Sequence, residues 1–350
     1  MREGWEIKTI GDVCDIFDRK RKPISKRDRE PGPYPYYGAS CIQDYVSGYL
    51  FDGRYLLIGE DGAKWGPGDD TAYIVEGKFW VNNHAHIVKA KQGYLDDFLR
   101  YYIKHLDLNP IVAGAIIPKL TQEKLATLEV PIPSLPEQQR IVDILDREFA
   151  KIDALKANAE KSLQAAKDLF QETLHRYYSG KNALLGDVLN LRRGHDLTHS
   201  EMKDGSIPVA GSGGIIGYHS IATPISPCIA VGRSGSVGKV FVYETCWAHN
   251  TILYVDDFKG NNPYYLVYLL KSLNLTSYGG GSAVPTLNRN VLHPLPVGYT
   301  SNKKEQATIV ACLDNLNDKC QTLQDNYQKT LALCDDLKQS LLRKAFNGEL

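Results

Sequence analysis

The sequence predicts an α+β chain: two tandem mixed α/β domains separated by two long helices, which pair as an antiparallel coiled coil about a pseudo-two-fold axis. Three observations predict it. They are a colinear internal repeat, short apolar runs between Gly-Asp punctuation, and two long helical stripes without an interior proline. Ile10-Gly11-Asp12-Val13 returns as Leu185-Gly186-Asp187-Val188. Pro35 and Gly38 return as Pro208 and Gly211, Tyr45 as Tyr218, Gly59 and Gly62 as Gly232 and Gly235, and Trp80 and Asn83 as Trp247 and Asn250. Gly114, Pro118 and Leu120 return as Gly281, Pro285 and Leu287, Glu137-Gln138 as Glu305-Gln306, and Gly180 as Gly348. Each copy is long enough to hold its own core, so this is a tandem duplication and not a solenoid. The boundaries fall at 1–133 and 181–299 for the globular parts, and at 134–180 and 300–350 for the helices.

Within the globular parts, Tyr55–Ile58, Ala72–Val75 and His86–Val88 read as strands, as do Ile229–Val231, Lys239–Tyr243 and Ile252–Val255. One helix interrupts each part, at Leu95–His105 and Pro263–Leu273. In 136–178 apolar side chains step by three and four through Ile141, Leu145, Phe149, Ile152, Leu155, Ala159, Leu163, Ala166, Phe170, Leu174 and Tyr177. In 303–346 the stripe runs through Ile309, Leu313, Leu316, Cys320, Leu323, Tyr327, Leu331, Cys334, Leu337, Leu341 and Ala345. Ser134 and Asn302 stand three residues before Glu137 and Glu305, as a helix cap requires, and Gly180 and Gly348 suit the left-handed C′ position. A helix with so long an apolar stripe does not stay alone in water, and the economical partner is its own duplicate. Such a pair is a spacer between the globular parts.

With 350 residues and 43% hydrophobic content, the chain has enough apolar material for several cores. The 41 basic and 41 acidic residues cancel, which argues against a non-specific polyanion binder and for a shallow salt dependence. The strongest local charge is a run from Arg19 to Arg29 that includes Lys20, Arg21, Lys22, Lys26 and Arg27. No stretch reaches the roughly 18 apolar residues of a membrane span, and the first residues do not resemble a signal peptide. The seven cysteines form no CxxC pair, so they are expected as buried free thiols of a reducing cytoplasm, not as zinc ligands.

Several catalytic patterns are imitated without being completed. Five residues separate Gly232 from Gly238 where a phosphate loop has four, and Val240 stands where magnesium needs a hydroxyl. Asn262-Pro263-Tyr264-Tyr265 resembles an amino-methyltransferase loop, but proline at a helix start accounts for it. Asp69, Glu76 and Lys78 have a nuclease-like composition, yet the second copy does not repeat them. No catalytic residue and no metal ligand is therefore assigned.

What remains is a set of paired Gly-rich loops that carry donors suited to base edges and phosphates. In the first copy the candidates for DNA contact are Lys20, Arg21, Lys64, Trp65, Asn82, His84 and Lys119. In the second they are Arg192, Arg193, Arg233, Ser234, Lys239, His249, Asn250, Asn288 and Arg289. The glycines match between copies while the side chains differ, Glu60 against Arg233 and Lys64 against Val237.

Four segments carry a resemblance to the specificity subunits of type I restriction-modification systems. They are Tyr34-Pro35-Tyr36-Tyr37-Gly38; Leu57-Ile58-Gly59-Glu60-Asp61-Gly62; Val130-Pro131-Ile132-Pro133 with Pro136-Glu137-Gln138-Gln139-Arg140-Ile141; and Leu341 to Leu350. The likeness spans the whole chain in the order reader, helix, reader, helix. It implies two target recognition domains, each gripping one half of a bipartite double-stranded DNA target, with the helices setting the gap. It also implies two modification subunits that bring S-adenosylmethionine, and restriction subunits that bring ATP with magnesium for translocation; this chain itself would hold no cofactor and perform no catalysis. Pro296-Val297-Gly298-Tyr299 departs from the proline-rich lead of the first copy. The competing classes are a fused nuclease or methyltransferase and a bivalent protein-binding adaptor. If the helices are spacers, deleting four residues from each shortens the unread gap by about 6 Å, or roughly two base pairs. A methylome showing an unchanged gap excludes the spacer role.

Overall fold

A computed structural model describes residues 4–112, 118–280 and 285–350. The chain forms two compact units, Met1–Glu160 with Gln328–Leu350, and Lys161–Tyr327. Each unit thus combines a globular part with a segment of both long helices.

In the first unit a four-stranded antiparallel sheet runs in the order Cys14–Ile16, Ala85–Ala90, Tyr55–Gly59, Ala72–Val75. A second sheet runs in the order Ile42–Val46, Pro31–Tyr37, Lys78–Val81, Phe51–Asp52. Its parallel pair, Tyr36 opposite Trp80, explains why a proline-rich strand and a tryptophan recur together in the sequence. The second unit repeats the plan. One sheet is ordered Asn190–Arg193, Ile252–Asp257, Cys228–Gly232, Val240–Tyr243, and the other places Val209 opposite Trp247 in the same parallel sense. The expected strands are all present, and the central ones are buried on both faces. Tyr55–Gly59 and Cys228–Gly232 accordingly read as continuous apolar runs and not as alternating ones. The repeat partners Gly114 and Gly281 lie outside the described residues.

The glycine pair at the end of these central strands has a steric cause. A Cβ on Gly59 would lie 2.5 Å from Ala63 Cβ, and one on Gly232 would lie 2.0 Å from the Ser236 carbonyl oxygen. The loop that follows each strand folds back over its own glycine. In the second unit it closes through Gly238 N–H to Gly232 O at 2.9 Å and Gly232 N–H to Lys239 O at 2.8 Å, then continues as the strand Val240–Tyr243. A strand, not a helix, follows this loop, so the phosphate-loop imitation ends there. The nuclease-like trio is likewise dispersed: Asp69 accepts from Gly66 N–H at 2.8 Å, Glu76 pairs with Arg54 at 3.0 Å, and Lys78 lies over the Tyr49 ring.

The long helices span Leu135–Tyr178 and Lys303–Phe346. Asn302 Oδ1 accepts from Lys304 N–H at 3.0 Å and Glu305 N–H at 3.4 Å, the expected cap. Gly348 takes the left-handed conformation, with φ +77°. Gly180 is not among the left-handed glycines, because the first long helix ends differently. There Gly298 N–H donates to Tyr178 O at 3.2 Å, and a Cβ on Gly298 would lie 2.8 Å from that oxygen. The proline-poor junction of the second copy is therefore the segment that caps the first helix.

Within the first unit Lys156 meets Asp335 at 2.8 Å and Lys338 meets Asp153, so the helix segments run antiparallel. Within the second, Tyr177 OH approaches Cys312 Sγ at 3.5 Å. Ile141, Leu145, Phe149, Ile152, Leu174, Ile309 and Leu313 are buried as expected. Leu155, Tyr177, Leu323 and Leu337 are exposed instead, and Leu342 is buried where Leu341 was expected to be. A 3.6-residue period drifts across a straight seam, so a single stripe does not stay covered over 44 residues.

Each globular part grips its own long helix through a buried glutamine. Gln138 Oε1 accepts from Leu95 N–H at 3.1 Å while its amide donates to Pro133 O at 3.0 Å. Gln306 Oε1 accepts from Asn262 N–H at 2.9 Å while its amide donates to Thr300 O and Asn261 Oδ1, both at 2.8 Å. About two turns further along, Tyr101 and Tyr268 hydroxyls donate to Asp146 and Asp314, both at 2.5 Å. Pro263 opens its helix, and Asn262 Oδ1 caps it by accepting from Tyr264 N–H at 2.9 Å.

Among the cysteines, Cys14, Cys320 and Cys334 are buried free thiols as expected, and burial pushes the Cys14 thiol up to about 12. Cys41 and Cys312 are exposed. Cys228 and Cys246 depart from the expectation: they face each other in the smaller core of the second unit and are joined as a disulfide.

Replacing Gln138 or Gln306 by alanine strands a half-buried backbone N–H and removes two further bonds. Each change is expected to lower the stability of its own unit by about 1–3 kcal/mol in denaturant titrations, with Leu155→Ala within about 0.5 kcal/mol of the parent. Equal losses for the buried and exposed changes would contradict the anchoring role. A second expectation concerns pH. His293 Nε2 accepts from Leu191 N–H at 3.0 Å, which requires a neutral ring. Burial first, then the neighbouring Arg289 and Lys259, hold its pKa below the usual imidazole range. The unfolded chain then takes up the proton at higher pH than the folded one. Stability from His293 is complete above about pH 6.5 and is lost as pH falls through the lowered value. Thermal melts of His293→Gln are expected to lose that part of the acid sensitivity.

Candidate nucleic-acid interface

In both units the same main-chain bonds join the open end of the central strand to the segment after the small helix, and in the second unit this frame borders a cleft. Glu60 N–H donates to His84 O at 2.8 Å, and Leu120 N–H donates to Glu60 O at 2.8 Å. In the second unit Arg233 N–H donates to Thr251 O at 2.9 Å, and Leu287 N–H donates to Arg233 O at 2.8 Å. Isolated bridges of Asp61 with Lys119 and of Ser234 with Thr286 complete the match. Even a turn is shared by different side chains. Asn82 Oδ1 accepts from His84 N–H at 2.8 Å, and His249 Nδ1 accepts from Thr251 N–H at 3.4 Å.

The side chains on these two frames differ in charge. In the first cleft Glu60 is buried and receives Arg21 Nη1 together with Lys119 Nζ, the latter at 2.6 Å. Arg21 also donates Nη1 to Ala85 O at 2.8 Å and Nε to Asp18 O at 3.1 Å, and its Nη2 pairs with Asp18 Oδ2 at 3.2 Å. His86 completes the network, with Nδ1 2.5 Å from Asp18 Oδ2 and Nε2 2.8 Å from Leu120 O. Asp18, Glu60 and His86 are close enough to share a cation, but the acceptors of the two acids already hold a guanidinium and an ammonium. In the second cleft the strand position that carries His86 carries Leu253, as the registers Ile58 opposite His86 and Val231 opposite Leu253 establish. That cleft has a volume of about 340 Å³ and is lined by Arg192, Arg193, Arg233, Leu253, Leu287, Asn288 and Arg289.

Of the first-copy candidates, Lys20 and Lys64 are exposed, and His84 is half-buried and paired with Asp61. Arg21 and Lys119 are committed to Glu60. Trp65 is a core residue, buried at 7% exposure among the apolar side chains of the first unit, and it presents almost no surface. Asn82 is buried as well, donating to Gln43 Oε1 at 3.2 Å, and it shapes a turn. The basic run divides. Arg19, Lys20, Lys22, Lys26 and Arg27 are exposed, whereas Arg29 stacks on Tyr36 and pairs with Asp44 at 3.1 Å.

In the second copy, five candidates (Arg192, Arg193, Arg233, Asn288 and Arg289) are brought together. Ser234 is half-buried beside Arg233, and Lys239 is exposed at the far end of the loop. His249 and Asn250 occupy the adjoining turn, where Asn250 Nδ2 donates to Asp196. Asp18 and His86 were not anticipated as site residues. An aspartate three residues before Arg21 and a histidine inside an apolar strand were the available signals, and neither reveals a partner distant in sequence.

The comparisons with known proteins agree on one family. Residues 2–165 and 181–332 both match the type I restriction modification DNA specificity domain. A protein of Haemophilus influenzae described as a type I restriction enzyme specificity subunit is 41% identical over 148 residues, 42% of this chain and 38% of that protein. The Escherichia coli type I restriction enzyme EcoprrI specificity subunit is 30% identical over 145 residues, 40% of this chain and 35% of that one. These matches thus cover well under half of either relative's length. A chain from a structure of type I R-M complex assembly and conformational transition superposes with a TM-score of 0.77 at 15% identity, covering 100% of this chain and 99% of that one. The HsdS subunit from Thermoanaerobacter tengcongensis superposes at 0.57 with 17% identity, covering 100% and 98%. Both show a common fold. With both copies matched and most of the sequence covered, this chain belongs to the type I restriction modification DNA specificity family.

Proposed function

We propose that this chain is the sequence-specificity subunit of a type I restriction-modification complex, with each globular part binding one half of a bipartite duplex target. The observation that carries this reading is the doubled frame: matching main-chain bonds at Glu60–Leu120 and Arg233–Leu287 support different side chains. Two copies of one frame that present different donors suit two different short base sequences. The paired helices set the unread gap and offer exposed apolar side chains, among them Leu155, Leu169, Leu323 and Leu333, to two modification subunits. S-adenosylmethionine belongs to those subunits, and ATP with magnesium to the restriction subunits that join them. The chain itself is non-catalytic in this reading. No helix among the described residues is long and apolar enough to cross a membrane, in keeping with a protein that works on DNA.

The experiment is methylome sequencing of cells with and without this chain, in the presence of its modification subunit. The expected result is a new methylated motif of two short half-sites around a fixed gap. A single continuous motif, or none, removes the two-reader reading and favours an adaptor. Arg192→Ala, in the cleft of the second unit, is expected to relax the half-site of that unit alone, each good bidentate contact being worth about 1–3 kcal/mol. Relaxation of both half-sites together would falsify modular reading.

A further inference from the structure

The two clefts share a frame but differ at one position. The residue after the strand-ending glycine is Glu60 in the first unit and Arg233 in the second, and the carbonyl of each accepts from its leucine at 2.8 Å. Glu60 draws in both cations of its cleft. Arg21 spends its donors on Glu60, Asp18 and two carbonyls, and Lys119 lies 2.6 Å from Glu60. In the second cleft the exposed Arg193 pairs with Asp196 at 3.1 Å, and the exposed Arg192 stands 4.0 Å from the half-buried Asp256. Among the described residues the Arg233 guanidinium reaches only the Asn250 carbonyl, at 3.4 Å. Among the described residues no carboxylate forms an ion pair with Arg233 or Arg289. A cation held against a buried carboxylate already has its charge balanced inside the protein, whereas an unpaired one releases DNA counterions when it binds.

Resting on the DNA-binding reading above, we infer that Glu60 is a positioning residue that sets which unit supplies the phosphate contacts. It withholds Arg21 and Lys119 from the duplex, so that within the clefts only Arg233 and Arg289 of the second unit grip phosphates. The two readers are then electrostatically unequal, although they share one backbone. The neutral total charge conceals this division.

The test is a salt titration of the full chain binding a fluorescent random-sequence duplex of about 40 base pairs, long enough to cover many phosphates. Random sequence isolates the phosphate contribution from base reading. Arg233→Gln with Arg289→Gln is expected to flatten the slope of log affinity against log salt by about 1.8, about a tenfold smaller loss between roughly 50 and 200 mM salt. Lys119→Gln is expected to leave the slope unchanged, because that charge is already neutralised within the protein. Glu60→Gln is expected to steepen it, by up to about 1.8 if both cations reach phosphates, with Glu60→Asp restoring the parent slope. Should Glu60→Gln fail to fold, the contrast between Lys119→Gln and the arginine pair still decides. If Lys119→Gln flattens the slope as much as one arginine change, or the arginine pair leaves it unmoved, the inference is overturned. If the parent chain shows no salt-dependent duplex binding at all, the DNA-binding reading fails with it.

Discussion

A buried primary amide must satisfy two donor positions and an acceptor without water, and that constraint organises both units. Gln138 and Gln306 lie at 1% and 0% exposure, and each meets it by tying together three pieces of chain. The oxygen holds the start of the small helix, the nitrogen holds the segment leading out of the globular part, and the backbone belongs to the long helix. An unsatisfied amide there costs about as much as a core cavity, so the departure of the helix from the domain is tightly specified. The tyrosine–aspartate bonds about two turns further on fix its rotation. Everything the clefts present is referred to these anchors.

Periodicity made the regular parts legible. The long helices begin and end within a residue of the ranges 136–178 and 303–346 read for them, because a 3.6-residue pattern is local information. The strands were legible from apolar runs between glycines for the same reason. Coverage was not legible. Whether Leu155 or Leu342 lies beneath other atoms depends on where the opposing segment sits, which no pattern along one strand of sequence records. The same limit applies to charge. Arg21 and Lys119 have the composition of DNA contacts, yet they meet Glu60 from 39 and 59 positions away, a closure set by the fold. Trp65 joined the candidates because it stands beside Lys64 in a Gly-rich loop, but its large apolar surface is better used in the core.

The duplication also shows how one architecture yields two surfaces. Buried positions that build the frame were kept in type, as with Leu120 and Leu287 or Val130 and Val297. Positions at the mouth changed charge, size and hydrogen-bonding sense. Where the first unit has an ionic network around His86, the second has Leu253, and the cleft beside it opens onto arginines. A buried network of this kind adds rigidity at the expense of available charge, and an apolar floor does the reverse.

The bonds that cross each cleft run from main chain to main chain, from residue 120 to 60 and from 287 to 233. A frame held by peptide groups is indifferent to what its side chains are. Each cleft therefore behaves as a socket, in which the lining is exchangeable as a set while the wall stays still. On the target-reading function proposed above, this separates evolvability from foldability. A new specificity can be acquired by recombining linings, without a new fold being found.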